Sequence, residues 1–297
     1  GEELACLRDH SHNVSDLCWS PDSSQLFSGS FDHTVRLWDV ARAESVAVFE
    51  VGRAFVLSVA LQSPDGCWAA TSAGGLLQFD RRKGDRPAQA LRNDCMVNSV
   101  AAARETVLVS GDKRGMLKAW DVRTGGCVGQ RSVSDPARPI SHVEISPELA
   151  WRGAHTSRVR LLATNSYDDT VRVLTEEEGA GDADVRWRQL CELQGHKNQS
   201  WPVRSSICVA DGWARLWGED EDCPPRWQPH GTALLATGST DGHAHVYSVS
   251  NSAAGVVTEL VQLLNGHTDR VYATSFHPTQ MQLATASADF TVKVWAA

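Results

Sequence analysis

Two sets of side chains in this sequence have the composition of a hydrolytic triad. Each set has a His, an Asp 22 residues later and a hydroxyl residue just before the Asp: His10, Ser28 or Ser30, and Asp32; His267, Thr285 or Ser287, and Asp289. A triad is defined by the geometry and roles of its side chains, not by their identity alone. Because the same set occurs twice at the same spacing, the sequence favours a repeated structural brace over a single active site.

The Asp of this set belongs to a wider repeat. In four segments an Asp in a predicted turn is followed, six positions later, by an aromatic or apolar residue: Asp32/Trp38, Asp168/Leu174, Asp241/Tyr247 and Asp289/Trp295. A recurring period of this kind is the signature of a repeat architecture. Each unit is too small to bury its own faces, so we expect the units to stack on one another.

The residues between the His and the Asp predict the elements of one unit. Two apolar runs, residues 14–19 and 25–28, are separated by the turn residues 20–22. Residues 34–38 then alternate between polar and apolar types, as in a half-buried strand. Each unit is therefore predicted to contain three strands, with a fourth strand leading to the next His.

These motifs carry a resemblance to a known family. Gly266-His267 and Gly195-His196 match a Gly-His dipeptide, and Trp38-Asp39 and Trp120-Asp121 match a Trp-Asp dipeptide, at the intervals found in the WD-repeat (WD40) β-propeller family. The resemblance covers nearly the whole chain and implies an all-β propeller of four-stranded blades. It also implies that a His, a strand Ser or Thr, the turn Asp and the Trp form hydrogen-bonded structural tetrads: His10, Ser30, Asp32 and Trp38; His267, Ser287, Asp289 and Trp295. Ser28 and Thr285 are the alternative hydroxyl members.

The number of units is predicted from the residue that closes the third strand of each. Six such residues occur: Trp38, Phe79, Trp120, Leu174, Tyr247 and Trp295. The second unit lacks the Asp, the third has Arg114 in its place, and the fourth lacks the Gly-His and the Trp. A seventh unit is the alternative, because residues 211–217 imitate the motif. The interval from His196 to Asp211 is too short for two strands, so six units are favoured.

The ends and the excess residues complete the predicted architecture. Residues 4–7 precede His10 as a fourth strand would, and the last unit stops after three strands, so the N-terminal strand is expected to pair with the C-terminal blade and close the ring. Residues 1–297 are predicted to form one domain. Three insertions, near 148–159, 175–184 and 209–231, fall between first and second or third and fourth strands, so one face should carry them.

Charge and cysteine content restrict the class of partner. The net charge of −8 argues against a general nucleic-acid-binding surface. The eight cysteines include no Cys-x-x-Cys pair, and they are interpreted as reduced core residues of a cytoplasmic or nuclear protein. No metal or cofactor motif is present, and no apolar run is long enough to cross a membrane. The chain is therefore expected to bind proteins or peptides as a member of a larger complex.

The resemblance also indicates where a partner would bind. In this family, peptides contact the residue before the turn Asp and a residue early in the first strand. Four aromatic residues are predicted at such positions, and these are the candidate partner-binding residues: Phe31, Tyr167, Trp201 and Tyr272. Ser15, Leu57, Asn98 and Ser141 occupy the early-strand position in other units. Aromatic side chains are enriched in binding hot spots. Burial of two or more of them between blades is the alternative.

A second functional hypothesis rests on residues 120–123. Trp120, Asp121 and Arg123 match the Trp-Asp-x-Arg motif of propellers that serve as substrate receptors of cullin ubiquitin ligases through a damaged-DNA-binding adaptor. The first hypothesis is a non-enzymatic scaffold that presents several protein-binding surfaces. Catalysis is the contrasting class, and the sequence supplies no reactive constellation for it beyond the repeated His–Asp–Ser set.

Overall fold

The computed structural model describes residues 5–63, 65–151, 157–177, 184–199, 201–209, 232–252 and 255–296. Its contacts divide the chain into two compact units. Unit 1 is Gly1–Ile140 with Asp182–Asp184, and unit 2 is Ser141–Gly181 with Val185–Ala297. The prediction that the whole chain forms one domain stays a prediction.

Unit 1 contains three antiparallel sheets of four strands each. Sheet 1 is formed by β1 (Val14–Trp19), β2 (Gln25–Ser30), β3 (Thr34–Asp39) and β4 (Glu44–Glu50). Sheet 2 is formed by β5 (Val56–Ser63), β6 (Gly66–Thr71), β7 (Gly75–Asp80) and β8 (Gln89–Arg92). Sheet 3 is formed by β9 (Val97–Ala102), β10 (Val107–Asp112), β11 (Met116–Asp121) and β12 (Cys127–Ser132). A single 3-10 turn, Arg81–Lys83, follows β7.

The described residues of unit 2 form three further antiparallel sheets of three or four strands and one two-stranded hairpin. Sheet 4 is formed by β13 (Ile140–Ile145), β16 (Leu161–Ser166), β17 (Thr170–Glu176) and β18 (Trp187–Gln194), and the hairpin β14 (Leu149–Trp151) and β15 (Ser157–Val159) lies between its first two strands in sequence. Sheet 5 is formed by β19 (Ser205–Val209), β20 (Thr232–Gly238), β21 (His243–Ser252) and β22 (Gly255–Asn265). Sheet 6 is formed by β23 (Val271–Phe276), β24 (Gln282–Ser287) and β25 (Val292–Ala296).

These six sheets confirm the predicted six-bladed architecture. Each of the six predicted closing residues lies in the third strand of its sheet. Sheet 6 has three strands among the described residues, where four were expected. The predicted closing strand at residues 4–7 stays a prediction, because Leu4 lies outside the described residues and residues 5–7 are not part of a strand.

The apolar residues of the strands pack into cores between neighbouring sheets. In unit 1, Phe27, Val35, Leu37 and Phe49 of sheet 1 pack with Val56, Cys67 and Phe79 of sheet 2, and all of these are fully buried. Val35 and Leu37 alternate with Thr34 and Arg36, which are partly exposed, so the period-2 pattern read from the sequence buries one face of the strand. This packing gives the turns between strands a rigid base.

The turn between the second and third strand has the same backbone conformation in all six sheets. The residue after the motif position of the Asp has a positive φ in each: His33, Gly74, Gly115, Asp169, Gly242 and Phe290, with φ between 58° and 86°. This left-handed region favours glycine, and three of the six are glycines. The shared turn fixes the direction of the residue that precedes the motif Asp. The candidate binding residues Phe31 and Tyr167 lie at this position.

The predicted insertions fall between the expected strands. Residues 148–159 contain the β14–β15 hairpin between the first and second strands of sheet 4, and residues 175–184 lie between its third and fourth strands. Residues 209–231 separate β19 from β20. Residues 152–156, 178–183 and 210–231 lie outside the described residues, and so do Trp213, Trp217 and Trp227.

The prediction that the cysteines are core residues is wrong for two of them. Cys67 and Cys208 are buried, and burial raises the pKa of the Cys208 thiol to about 12, as expected for reduced core residues. Cys6 and Cys127, however, are exposed. Cys6 is not part of a strand and Cys127 is the first residue of β12, so these two are not core residues.

Candidate functional site

The first His–Asp–hydroxyl set forms a closed hydrogen-bond chain in sheet 1. The Trp38 indole N–H donates to Ser28 Oγ at 2.7 Å, Ser28 Oγ lies 2.6 Å from His10 Nε2, and His10 Nδ1 lies 2.7 Å from Asp32 Oδ2. Asp32 also accepts the hydroxyl of Thr34 at 2.6 Å and the amide of Ser11 at 3.1 Å. These distances join the turn, the second strand and the third strand of one sheet.

The second set repeats this chain in sheet 6. Trp295 Nε1 donates to Thr285 Oγ1 at 2.9 Å, Thr285 Oγ1 lies 2.8 Å from His267 Nε2, and His267 Nδ1 lies 2.8 Å from Asp289 Oδ2. Asp289 also accepts the Thr291 hydroxyl at 2.6 Å. The two sets therefore differ only in the hydroxyl residue.

The hydroxyl members of the tetrads are Ser28 and Thr285, which corrects the prediction of Ser30 and Ser287. Ser30 Oγ instead accepts the backbone amide of Asp32 at 3.0 Å, and Ser287 Oγ accepts that of Asp289 at 3.1 Å. Residues two apart on a strand point to the same face, so alternation alone could not separate the two candidates. Ser30 and Ser287, which lie nearer the turn, accept a backbone amide of the turn. Ser28 and Thr285, two residues earlier in the strand, accept the indole N–H.

The protonation and hydrogen bonding of the tetrads fit a structural role. The hydrogen bonds assign a proton to His Nδ1, which donates to the carboxylate, and leave Nε2 to accept from the hydroxyl. Despite its partial burial, Asp32 is held ionised: the hydrogen bonds from Thr34, His10 and Ser11 outweigh desolvation and depress its pKa far below the usual value. Each hydroxyl oxygen already accepts the indole N–H, so the set ties strands together and does not present a nucleophile.

Sheet 3 braces its turn in another way. The motif position of the Asp is Arg114, but Asp112, two residues earlier, accepts the amides of Arg114 at 2.8 Å and Met116 at 3.0 Å. Asp112 also accepts from Asn93 Nδ2 at 3.1 Å, and Trp120 Nε1 donates to Ser110 Oγ at 2.9 Å. The missing motif Asp is thus replaced by a carboxylate at a neighbouring position.

Sheets 4 and 5 lack a tetrad. Asp168 is bound by the Arg172 guanidinium through two oxygens, at 3.2 and 2.7 Å. In sheet 5 the closing residue Tyr247 donates to the Gln194 carbonyl at 2.8 Å, and both ring nitrogens of the buried His196 have no hydrogen-bond partner among the described residues. The Gly-His motif therefore predicted a buried His at position 196 but not its contacts.

Two buried histidines give unit 2 a distinct pH dependence. Desolvation, and then the neighbouring His245, lowers the pKa of His196 to about 4, and desolvation with Arg204 lowers the pKa of His142 to about 3. Their neutral forms are favoured in the folded state, so the unfolded chain binds more protons below pH 6.5.

We expect the free energy of unfolding to fall as the pH falls from 6.5 to 4.5, by about 1.4 kcal/mol per pH unit for each histidine. Asp32 and Asp289 titrate below this window because their pKa values are depressed. Urea unfolding at several pH values checks the slope, and His196→Gln should reduce it. An unchanged slope in His196→Gln would show that this side chain is not buried in its neutral form.

Two of the four candidate binding residues lie together in unit 2. The rings of Trp201 and Tyr272 have centroids 5.9 Å apart, and the Arg270 guanidinium lies 4.3 Å from the Trp201 ring centroid. We call Trp201, Arg270 and Tyr272 the Trp201 patch. Trp201 is 41% exposed, which is unusual for so large an apolar ring. The patch combines an aromatic face with a cation.

The loop that carries Trp201 is held firmly. The Asn198 amide donates to Asp169 Oδ1 at 2.5 Å and the Lys197 amide to Ser239 Oγ at 2.9 Å, while the Trp201 amide donates to the Asn198 carbonyl at 2.9 Å. Asn198 itself is fully buried. These hydrogen bonds fix the backbone of the loop and leave the Trp201 indole at the surface, while the buried Asn198 Oδ1 has no hydrogen-bond partner among the described residues.

The other two candidate residues have different neighbours. Phe31, in unit 1, packs on Phe55 with ring centroids 5.3 Å apart, and His33 stacks on the same ring at 5.2 Å. Phe55 is exposed and was missed, although it lies just before a first strand. Tyr167, in unit 2, is half-buried, and burial raises its pKa.

The early-strand residues are used between sheets as well as at the surface. Ser15 Oγ donates to the Val56 carbonyl at 2.8 Å, and Ser141 Oγ donates to the Val203 carbonyl at 3.1 Å. By this pattern Arg204, which follows Val203, occupies the early-strand position of sheet 5. Trp201 precedes that position by three residues and therefore lies in the loop before the strand. The family resemblance had placed it early in the strand.

The Trp-Asp-x-Arg motif forms a compact ion pair. Asp121 Oδ1 accepts the Arg123 backbone amide at 2.8 Å and its Nε at 3.3 Å, while the Arg123 side chain is 62% exposed. The same arrangement occurs in sheet 2, where Asp80 accepts the Arg82 amide at 2.9 Å and its guanidinium at 3.0 Å. Sequence analysis missed this second pair because Phe79 replaces the Trp.

The described part of the chain shows neither a metal-binding cluster nor a membrane-spanning helix. Among those residues, no group of three or more His, Cys, Asp or Glu side chains is arranged to hold a metal ion. The same residues contain no helix with the length and apolar character needed to span a bilayer.

Comparison with known proteins agrees with the geometry. The family model described as WD domain, G-beta repeat, matches residues 1–39 and 258–296. The chain is 20% identical, over 97% of its length and 96% of the relative, to a WD repeat domain-containing protein 83 homolog from Dictyostelium discoideum. It is 24% identical, over 92% of its length, to WD repeat-containing protein 1 from Gallus gallus, but spans only 46% of that protein.

A solved structure gives the same fold. A chain from the crystal structure of the mitotic checkpoint complex superposes with a TM-score of 0.68 at 19% identity, over 97% of this chain and 76% of the other. The repeated sheets, the two tetrads and the matched repeat segments converge on one assignment: the chain has the fold of WD-repeat proteins and carries WD repeats at residues 1–39 and 258–296.

Proposed function

We propose that this protein is a non-enzymatic scaffold that binds protein or peptide partners through the Trp201 patch. The observation that carries the proposal is a large indole held at the surface by a loop whose backbone amides at Lys197, Asn198 and Trp201 are hydrogen-bonded. Preorganisation of this kind lowers the entropy lost on binding. Trp, Tyr and Arg are the residues most enriched in hot spots.

The chemistry of the patch defines the partner. The Trp201 ring offers an apolar surface, and Arg270 offers a cation beside it, although Asp269 lies 3.6 Å from the guanidinium. A peptide with an apolar or aromatic residue next to a carboxylate would satisfy both groups. The buried tetrads support a structural use of the His–Asp–hydroxyl sets, so binding is favoured over catalysis and no cofactor is required.

The setting of this function is a multiprotein complex in the cytoplasm or nucleus. The net charge of −8 disfavours direct binding to nucleic acids. A chain from a multiprotein complex shares the fold, which supports a scaffold role by analogy. Phe31 and Tyr167 are proposed as further contacts, and the aromatic pair Phe31 and Phe55 supplies a second apolar surface in unit 1.

Replacing Trp201 tests the proposal. We expect Trp201→Ala to weaken binding of a co-purifying partner by at least about thirtyfold, since a central hot spot contributes about 2 kcal/mol or more. The melting temperature should hardly change, because the indole is exposed. Phe290→Ala is the matched control, since Phe290 is a fully exposed aromatic residue of the same unit. Equal losses of binding in both variants, or a parallel loss of stability in Trp201→Ala, would refute the proposal.

A second candidate function is supported by the two Asp-x-Arg pairs. Arg123 and Arg82 are each fixed by a carboxylate two residues earlier and remain largely exposed. Such arginines are suited to a docking surface for the cullin-ligase adaptor, with the chain acting as a substrate receptor. Trp120 contributes by bracing the strand that ends at Asp121.

Co-purification of the damaged-DNA-binding adaptor tests this second function. Binding should be lost in Arg123→Ala and weakened in Arg82→Ala. Arg42→Ala is the control, because Arg42 lies 3.8 Å from a carboxylate three residues earlier and lacks the two-residue spacing. Absence of the adaptor from the wild-type sample would remove the hypothesis.

A further inference from the structure

The outermost strand of sheet 5 differs from the other outer strands. β22 has 11 residues, whereas β4, β8, β12 and β18 have 7, 4, 6 and 8. It is the last strand of its sheet, so one edge of its backbone has no strand partner among the described residues. Long, unpaired edges are pairing sites that proteins normally keep short or charged.

The side chains of β22 give the edge little protection. Glu259 is its only charged residue, whereas β4 begins and ends with Glu and β18 contains both Arg188 and Glu192. Val257, Leu260 and Leu263 are 50, 49 and 41% exposed. An edge that is long, apolar and almost uncharged has the features of a surface that a binding partner covers.

We propose that β22 is a docking edge for an extended segment of a partner protein, which adds to sheet 5 as a further strand. The segment would alternate apolar and polar residues, and it would place a Lys or Arg opposite Glu259. Its backbone would pair with the free edge of β22, while its apolar side chains cover Leu260 and Leu263. This site is separate from the Trp201 patch and does not depend on it.

Glu259 distinguishes this occupant from a second copy of the chain. The pairing of β22 with β21 shifts register between Leu260 and Gln262, and a regular antiparallel pairing of the opposite edge with another β22 would be centred on Leu260. In that register the two Glu259 carboxylates are diagonal neighbours, about 7–8 Å apart on the same face of the sheet, and repel each other. A basic residue on a different partner removes this repulsion and adds a cross-strand ion pair, so the charge favours a basic partner segment.

The test uses two labelled peptides of alternating Thr and Val, one with Lys and one with Glu at its centre. Fluorescence anisotropy should show that the wild-type protein binds the Lys peptide about tenfold more tightly than the Glu peptide. Glu259→Lys should reverse this preference. Leu260→Lys with Leu263→Lys should abolish binding of both peptides, and hydrogen exchange should slow in β22 when the Lys peptide is bound.

Two controls separate this site from others. Val46→Lys changes an equally exposed residue of the outer strand β4 and should leave binding unchanged. Trp201→Ala should bind the peptides as the wild type does, so failure at β22 and failure at the Trp201 patch are distinguishable. Retained folding of each variant is checked by its melting temperature.

Three results would overturn the proposal. The first is the absence of peptide binding to the wild-type protein, and the second is a peptide preference that Glu259→Lys does not reverse. The third is a concentration-dependent dimer that Leu260→Lys dissociates, which would identify a second copy of the chain as the occupant.

Discussion

Asp32→Ala is expected to lower the free energy of unfolding by about 3 kcal/mol. The carboxylate accepts hydrogen bonds from His10, Thr34 and Ser11. Its side chain is only 5% exposed, so water cannot replace these bonds without rearrangement. Removing an acceptor from buried donors costs about 1–3 kcal/mol for each group left unsatisfied, and more when a charge is involved.

Asp241→Ala is the matched control for this prediction. Asp241 occupies the same motif position in sheet 5, but its side chain is 30% exposed, and its contacts among the described residues are the His243 amide at 3.2 Å and the His243 ring at 3.6 Å. We expect a loss below about 1 kcal/mol, as for other exposed ion pairs. Urea unfolding followed by circular dichroism gives both values. Equal losses in the two variants would show that the motif, and not the tetrad, stabilises the sheet.

Gly238→Ala is expected to be about as damaging as Asp32→Ala, lowering the free energy of unfolding by about 3 kcal/mol. Gly238 ends β20, where a Cβ atom would overlap the backbone carbonyl oxygen of Val271 in β23 and lie 2.9 Å from the Val271 carbonyl carbon. The neighbour is backbone and cannot rotate away, so sheets 5 and 6 would have to separate. Overpacking of this kind typically costs 1–3 kcal/mol, and backbone contacts place Gly238 at the upper end.

Gly126→Ala serves as the control. Among the described residues, the one atom within 4 Å of a Cβ atom at Gly126 would be Thr124 Oγ1, at 3.5 Å, and the φ of Gly126 is not positive. The free energy of unfolding should change by less than about 0.5 kcal/mol. If Gly238→Ala is as stable as Gly126→Ala in the same urea titration, the close approach of β20 and β23 is wrong.

The sequence predicts the sheets well because their signals are local. The Asp and the residue six positions later mark a tight turn and the strand after it, and those two features recur wherever the backbone repeats. Even sheet 2, which lacks the Asp, keeps Gly74 at the position that requires a positive φ. Local chemistry therefore identified all six third strands.

Contacts between segments were harder to predict. Asp112 replaces the missing turn carboxylate of sheet 3 from two residues away, and the sequence motif had no position for it. The family resemblance placed Trp201 early in a first strand, whereas Arg204 holds that position. Phe55 escaped notice because its ring partners Phe31 and His33 are distant in sequence, and Arg82 escaped notice because Phe79 replaces the Trp of the motif.

The outer strands illustrate the same limit. The pattern of residues 255–265 indicates a strand, but its unusual length and its place at the edge of sheet 5 emerge only from the strand order. The tetrads could be named from the sequence, yet the choice of Ser28 over Ser30 depends on depth within one face.

Quantitative affinity purification with the wild-type protein, Trp201→Ala and Phe290→Ala tests the central claim most directly. If the Trp201 patch is a protein-docking surface, Trp201→Ala loses a defined set of stoichiometric partners, Phe290→Ala keeps them, and all three proteins melt at the same temperature. Recovery of the same partners in the same amounts with Trp201→Ala would contradict the claim.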